Sequence, residues 1–185
     1  TKTEPYRNRI ARFKQWTSED REAFFGSGYD PWTMAAGWSN WERLFVNWAE
    51  QEGYNLNYAV SQDLDQYSNL LDGHPVYISV GHDEYWSAPM RDNLEAYIAQ
   101  GGNVAFFSGN TCCWQVRSED NGNDLVCWKE AFKQDPLYTP EGHPLLSTLW
   151  SHHLIKRPEN QLTGVGFLRG GFHQFRQILD GSGAY

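Results

Sequence analysis

His82-Asp83-Glu84-Tyr85 sets an imidazole, two carboxylates and a phenol in consecutive positions. Carboxylate and phenolate oxygens are hard donors that suit a Lewis-acidic cation. A bound cation lowers the pKa of water and polarises an amide carbonyl. An imidazole beside them ligates or carries protons. Side chains alternate in direction along a strand end, so only part of the set can face one cleft. A plainer use is open as well. Asp83 and Glu84 can cap a following helix and accept backbone N–H bonds, with His82 and Tyr85 as half-buried hydrogen-bond partners.

Ser108-Gly109-Asn110-Thr111-Cys112-Cys113-Trp114 is the second stretch of interest. Gly109-Asn110 reads as a tight turn, with Asn110 orienting a neighbour or a substrate. A Cys112 nucleophile would need a histidine brought close in space, and His82 is one candidate. Buried cysteines more often serve as small apolar groups. Glu141 with His143, and His152 with His153, are reserve cation ligands without helical i, i+4 spacing. Arg157-Pro158-Glu159-Asn160 reads as a structural turn closed by an Arg–carboxylate pair.

The elements around these residues alternate. Pro75–Val80 is a compact apolar, β-rich run that predicts a buried parallel strand ending at the tetrad. Ser87 offers an N-cap to a helix whose face is Met90, Leu94, Tyr97 and Ile98, stopped by Gly101-Gly102. Asn103–Ser108 is the next strand. Upstream, Trp41, Leu44, Phe45 and Trp48 fall at i, i+3, i+4, i+7 and predict a buried helix face capped by Asn40 and closed by Gly53. Tyr54–Val60, Leu125–Lys129 and Gln161–Phe167 read as strands, Ser18–Phe25 as a short helix, and residues 133–146 as a long loop. The alternation predicts an α/β fold with a mostly parallel sheet, whose ligand crevice lies beyond the carboxyl ends of the strands. His82–Tyr85 and Ser108–Trp114 both sit at such ends.

Composition narrows the classes. The 185 residues suffice for one domain with a core, and 16% aromatic residues, nine of them Trp, argue against disorder. A net charge of −8 opposes a phosphate-backbone binder, so no nucleic-acid partner is expected. No run approaches the roughly 18 apolar residues of a membrane span. Cys112, Cys113 and Cys127 leave at least one thiol unpaired; a disulfide from Cys112 or Cys113 to Cys127 is open, and the compartment is undecided. Trp32, Trp38, Trp86 and Trp114 follow no period and suit either a core or a stacking surface.

Three segments carry a resemblance: GHDEYWSAPMRDNLEAYIAQGGNVAFFSGNTCCWQVR, LVCWKEAFKQDP and RPENQLTGVGF. They resemble the C-terminal domain of the N,N-dimethylformamidase large subunit over roughly residues 40–170. The likeness is closer to the uncharacterised branch, because the formamidases read H-P-E-Y where this chain has His82-Asp83-Glu84-Tyr85. The resemblance implies a three-layer fold similar to class I glutamine amidotransferases. It also implies a mononuclear iron held by two tyrosines and a glutamate. One tyrosine falls on Tyr85. The second falls near Leu44 and Phe45, and the glutamate near Leu145, so these two ligands do not carry over. In that fold the nucleophile elbow falls on Asn110, two residues before Cys112.

Residues 1–185 are therefore expected to form one α/β domain with an irregular segment at 1–40, compatible with a piece of a longer protein. Two functions are open. One is a hydrolase-like domain acting on a small amide or other C–N bond, with iron or another metal on Tyr85, His82 and Glu84 handling protons, and Asn110 positioning the substrate. The other is a non-catalytic ligand-binding or structural module. The expected partners are a small-molecule substrate and either further domains or a second copy of the chain.

Overall fold

The computed structural model describes Thr17, Glu19, Trp38 and residues 42–166. Helix α1 (Glu42–Gln51) and α2 (Ser61–Gln66) precede strand β1 (Val76–His82). Strand β2 (Tyr85–Ser87) leads directly into helix α3 (Ala88–Ala99), and β3 (Asn103–Gly109) follows. Strand β4 (Trp114–Glu119), β5 (Asp124–Val126) and the short helix α4 (Asn160–Thr163) complete the order, with 3-10 turns at Lys129–Gln134 and His143–Leu145. The fold is α/β with two small open sheets of mixed orientation. Strands β1 and β3 pair in parallel from Val76↔Asn103 to His82↔Gly109. Strand β4 lies between β2, parallel, and β5, antiparallel. The expected large, mostly parallel sheet is thus met only in its β1–β3 and β2–β4 pairs.

Helix α3 forms for the reasons the sequence suggests. The Ser87 hydroxyl accepts the Met90 amide at 3.2 Å, and a proline sits in the first turn. Met90 and Leu94 are buried, and they join Leu64, Trp86, Cys112, Leu146, Trp150 and Ile155 in the core. Tyr97 packs on that core and donates its hydroxyl to the His74 carbonyl, whereas Ile98 is exposed. The Ser87 hydroxyl also donates to Asp65 on α2, which ties the two helices together.

Other expectations need correction. Residues 54–60 form no strand: Tyr54, Tyr58 and Val60 are all exposed, so the alternation has no core to face. Gln161–Phe167 is not a strand either. Its first residues form α4, closed by Gly164 at φ +77°, and Phe167 lies outside the described residues. Strand β5 ends at Val126, because Lys129 adopts φ +52° at the start of a 3-10 turn. On α1, Val46 and Ala49 are buried while Leu44 and Trp48 are about half exposed or more. Phe45 reaches the sheet, its ring packing on Phe107 with centroids 5.9 Å apart. Trp41, Asn40 and nearly all of the 18–25 segment lie outside the described residues.

Two ionic clusters hold the framework. Arg91 is fully buried, over the Trp150 ring at 4.7 Å. It donates to Glu95 (2.7 Å), to the Arg157 carbonyl (2.6 Å) and to the Pro158 carbonyl (3.0 Å). Arg157 reaches back to Asp92 and Glu95, each at 2.6 Å. The Arg–carboxylate pair expected within residues 157–160 therefore closes onto α3 instead of onto Glu159. In the second cluster Arg117 donates to both oxygens of buried Asp135, at 2.6 and 3.0 Å. The same carboxylate accepts the Leu137 and Ser147 amides.

Replacing Arg91 with Met should leave the Arg157 and Pro158 carbonyls without their donor, Glu95 keeping Arg157, and cost about 2–4 kcal/mol, read as a lower urea midpoint at unchanged m-value. For Asp135, burial alone would raise the carboxyl, but Arg117 and the two amides outweigh it and hold the group below the usual range. A carboxylate depressed in the folded state stabilises fully above its unfolded pKa of about 3.9, and that contribution is lost as pH falls through the lower folded value. Asp135→Asn should therefore be less stable at neutral pH, and its stability should fall less than the wild type's below about pH 4 in denaturant titrations.

Candidate functional site

The two parallel pairs are one ladder with a break in it. His82 faces Gly109, and Tyr85 faces Trp114. Between those rows Asp83 and Glu84 stand opposite Asn110, Thr111, Cys112 and Cys113. The longer side must bulge, and a bulge bends a strand and re-aims its side chains. Backbone bonds span the break: the Asp83 amide donates to the Gly109 carbonyl at 3.1 Å, Cys112 to Asp83 at 2.9 Å, and Trp114 to Glu84 at 2.9 Å. Asn110 and Cys112 take up the excess length in the left-handed region, at φ 55° and 56°. The loops 82–85 and 109–112 therefore adjoin.

Asp83 points inward. Ser79 Oγ donates to one of its oxygens at 2.5 Å and Trp86 Nε1 to the other at 2.9 Å. The Ser79 and Ser108 hydroxyls lie 2.8 Å apart, and those of Ser108 and Thr111 lie 2.6 Å apart. Burial raises the Asp83 carboxyl above its ordinary value, although these donors pull the other way.

Glu84 turns the opposite way. One oxygen lies 2.9 Å from His82 Nε2, and the other accepts Trp114 Nε1 at 2.9 Å. Partial burial would raise this carboxyl, but His82, Trp114 and the Lys129 charge together lower it. Lys129 Nζ donates to the Tyr85 hydroxyl at 2.6 Å. It lies 4.8 Å from the Tyr85 ring centroid and 5.2 Å from that of Trp114. Burial favours the neutral amine, yet the Tyr85 bond and the nearby acidic groups raise Lys129 above its usual value, so it remains an ammonium.

Of the expected site residues, His82 and Glu84 are in contact, Tyr85 adjoins through Lys129, and Asn110 lies on the facing bulge. The Asn110 amide makes no hydrogen bond among the described residues. Lys129 was not singled out from the sequence, because it has no motif of its own, and Trp114 was read only as the end of the Ser108–Trp114 stretch and as a core or stacking aromatic. Lys129 falls in the Leu125–Pro136 segment that carried the family likeness, and that was the available signal.

Cys112 serves as the small buried apolar group expected rather than as a nucleophile. It is fully buried, and burial pushes its thiol up to about 12. Cys113 is likewise buried and raised to about 12, and all three cysteines are free, so the disulfide does not form. The reserve histidines stack with other aromatic rings: His152 lies 4.6 Å from Phe132 and 4.5 Å from His153, and His143 lies 5.5 Å from Tyr138. Among the described residues no three His, Cys, Asp or Glu side chains form a set for a metal ion. The Tyr85 oxygen already carries an ammonium, and a second cation there would meet repulsion. The described residues thus do not fit an iron held by Tyr85.

The sequence model of the N,N-dimethylformamidase beta subunit-like C-terminal family matches residues 4–182. No curated protein matches the chain.

The bulge makes a prediction through Asn110. Glycine reaches the left-handed region freely, whereas a residue with a Cβ and no polar side chain is penalised there. Asn110→Ala should cost about 1 kcal/mol, and Asn110→Gly should stay within about 0.5 kcal/mol of wild type in chemical denaturation.

Proposed function

The chain belongs to the N,N-dimethylformamidase beta subunit-like C-terminal family, and from that we propose a hydrolase-related domain that cleaves a small amide or related C–N bond at the ladder break. The observation that carries this reading is the Glu84 carboxylate, bonded to His82 beside a Lys129 ammonium that stays charged. Glu84 and His82, sharing a proton across 2.9 Å, take the proton of an attacking water as its oxygen bonds to the carbonyl carbon. The carbonyl oxygen gains negative charge, and the Lys129 ammonium stabilises it in a partly desolvated setting. The C–N bond then breaks, and the proton held by the His82–Glu84 pair passes to the leaving nitrogen. Tyr85 orients Lys129 through the 2.6 Å bond, and the Asn110 amide positions the substrate carbonyl. The parallel β1–β3 pair with helix α3 between its strands supports a layered amidotransferase-like arrangement by analogy alone.

One observation favours the second reading, a non-catalytic binding or structural module. Both Glu84 oxygens and the Tyr85 hydroxyl already have partners inside the protein.

An amine-release assay on the full chain, run against a panel of small formamides and N-alkyl amides, separates the two. Turnover should appear with at least one substrate and should fall by about 10²-fold or more in Glu84→Gln and Lys129→Met, with unfolding midpoints little changed. Absence of turnover across the panel would leave the module reading standing, and turnover that persists in both variants would remove Glu84 and Lys129 from the chemistry.

A further inference from the structure

The Glu84 carboxylate and the Lys129 ammonium feel each other's charge, yet they form no ion pair. Each charge is engaged elsewhere: Glu84 with His82 and Trp114, and Lys129 with Tyr85. Trp114 is next to both. Its indole N–H holds Glu84 at 2.9 Å, and the Lys129 ammonium lies 5.2 Å from the centroid of its ring. Its backbone is fixed on both sides, by the amide bond to the Glu84 carbonyl and the ladder to Tyr85, and by a bridge to Leu149.

We propose that Trp114 is a positioning residue that keeps Glu84 and Lys129 from neutralising each other. An indole is suited to this task. Its N–H is a neutral donor that satisfies a carboxylate oxygen without cancelling its charge, and its ring face attracts an ammonium without supplying a counter-ion. Tyr85 completes the seat with a ring 4.8 Å from the same ammonium and a hydroxyl that accepts one of its three protons. A direct Glu84–Lys129 pair would consume the base and the electrophilic charge together. Held apart, they form a dipole that matches an amide, whose nitrogen gains a proton as its oxygen gains negative charge. This inference rests on the proposed amide chemistry for its purpose, but not for its geometry.

The test is a double-mutant cycle on stability, which needs no substrate. Glu84→Gln, Lys129→Met and their combination are measured by denaturant unfolding in the wild-type and Trp114→Phe backgrounds. Phenylalanine keeps a ring but removes the donor. In the wild-type background the effects should combine to within about threefold in the unfolding constant, and in Trp114→Phe the coupling should grow to about tenfold or more. Equal coupling in the two backgrounds overturns the proposal. If Trp114→Phe does not fold, the Trp114 indole N–H resonance decides in folded proteins: it should move in both Glu84→Gln and Lys129→Met, and a resonance unmoved by either overturns the proposal. Where turnover is measurable, Trp114→Phe should lower kcat about tenfold with KM changed by less than about threefold. Coupling that grows while no amide is turned over would keep the spacer and remove the chemistry.

Discussion

The break in the β1–β3 and β2–β4 ladder is the constraint on which the site depends. Parallel strands can stay in register only if equal lengths of chain run between their paired rows. Here Asp83 and Glu84 run opposite Asn110–Cys113, and the mismatch cannot relax, because intact rows flank it at His82↔Gly109 and Tyr85↔Trp114. The shorter side is pulled taut, so its two carboxylates are sent to opposite faces. Asp83 goes to a half-buried, hydroxyl-lined face and is raised. Glu84 goes to a face with His82 and Lys129 and is lowered. The two neighbouring acids are therefore shifted in opposite directions by what each side of the chain faces.

The same device serves both faces. Trp86 donates its indole N–H to Asp83, and Trp114 donates its own to Glu84. Each indole satisfies one oxygen of its carboxylate with a neutral donor. Trp86 is itself core, and it precedes Ser87, the cap of α3. Arg91 and Arg157 then bind α3 to the 157–158 backbone over Trp150. The buried arginine cluster thereby fixes the helix that anchors β2, and β2 carries Tyr85. Rigidity passes from the core to the site through consecutive elements of chain.

What the sequence disclosed follows from how local each signal is. Strand β1, the Ser87 cap, the Met90–Leu94 face and β3 were legible because apolar period and capping chemistry act within a few residues. The placement of His82–Tyr85 beside 109–112 was legible because strand ends in an α/β chain collect on one rim. The failures have the opposite cause. The alternation in Tyr54–Val60 is real, but a strand needs a neighbour, and pairing is not encoded locally. Lys129 reaches Tyr85 across 44 positions, through a turn whose φ of +52° no propensity foretells. Trp114 was legible as the end of the Ser108–Trp114 stretch and as a core or stacking aromatic, but not as the neighbour of Glu84 and Lys129, since those side chains reach it only in space.

The distribution of backbone strain points the same way. Six non-glycine residues among those described have positive φ, and three of them, Asn110, Cys112 and Lys129, belong to the bulge and the cation that faces it. A left-handed non-glycine residue costs about 1–2 kcal/mol, so this grouping would disappear if stability alone chose the sequence. Lys129 is the clearest instance, because lysine has no side-chain bond to its own backbone that would ease the conformation. Its amide is held by the Ser147 carbonyl at 2.9 Å, and Ser147 is held in turn by Asp135. The Arg117–Asp135 cluster therefore constrains the turn that delivers the ammonium to Tyr85. A fold that uses an ionic cluster to impose an unfavourable turn on a lysine, and then seats that lysine against two aromatic rings beside an ionised carboxylate, gains little stability from the arrangement. What it gains is two opposite charges fixed in place without pairing with each other.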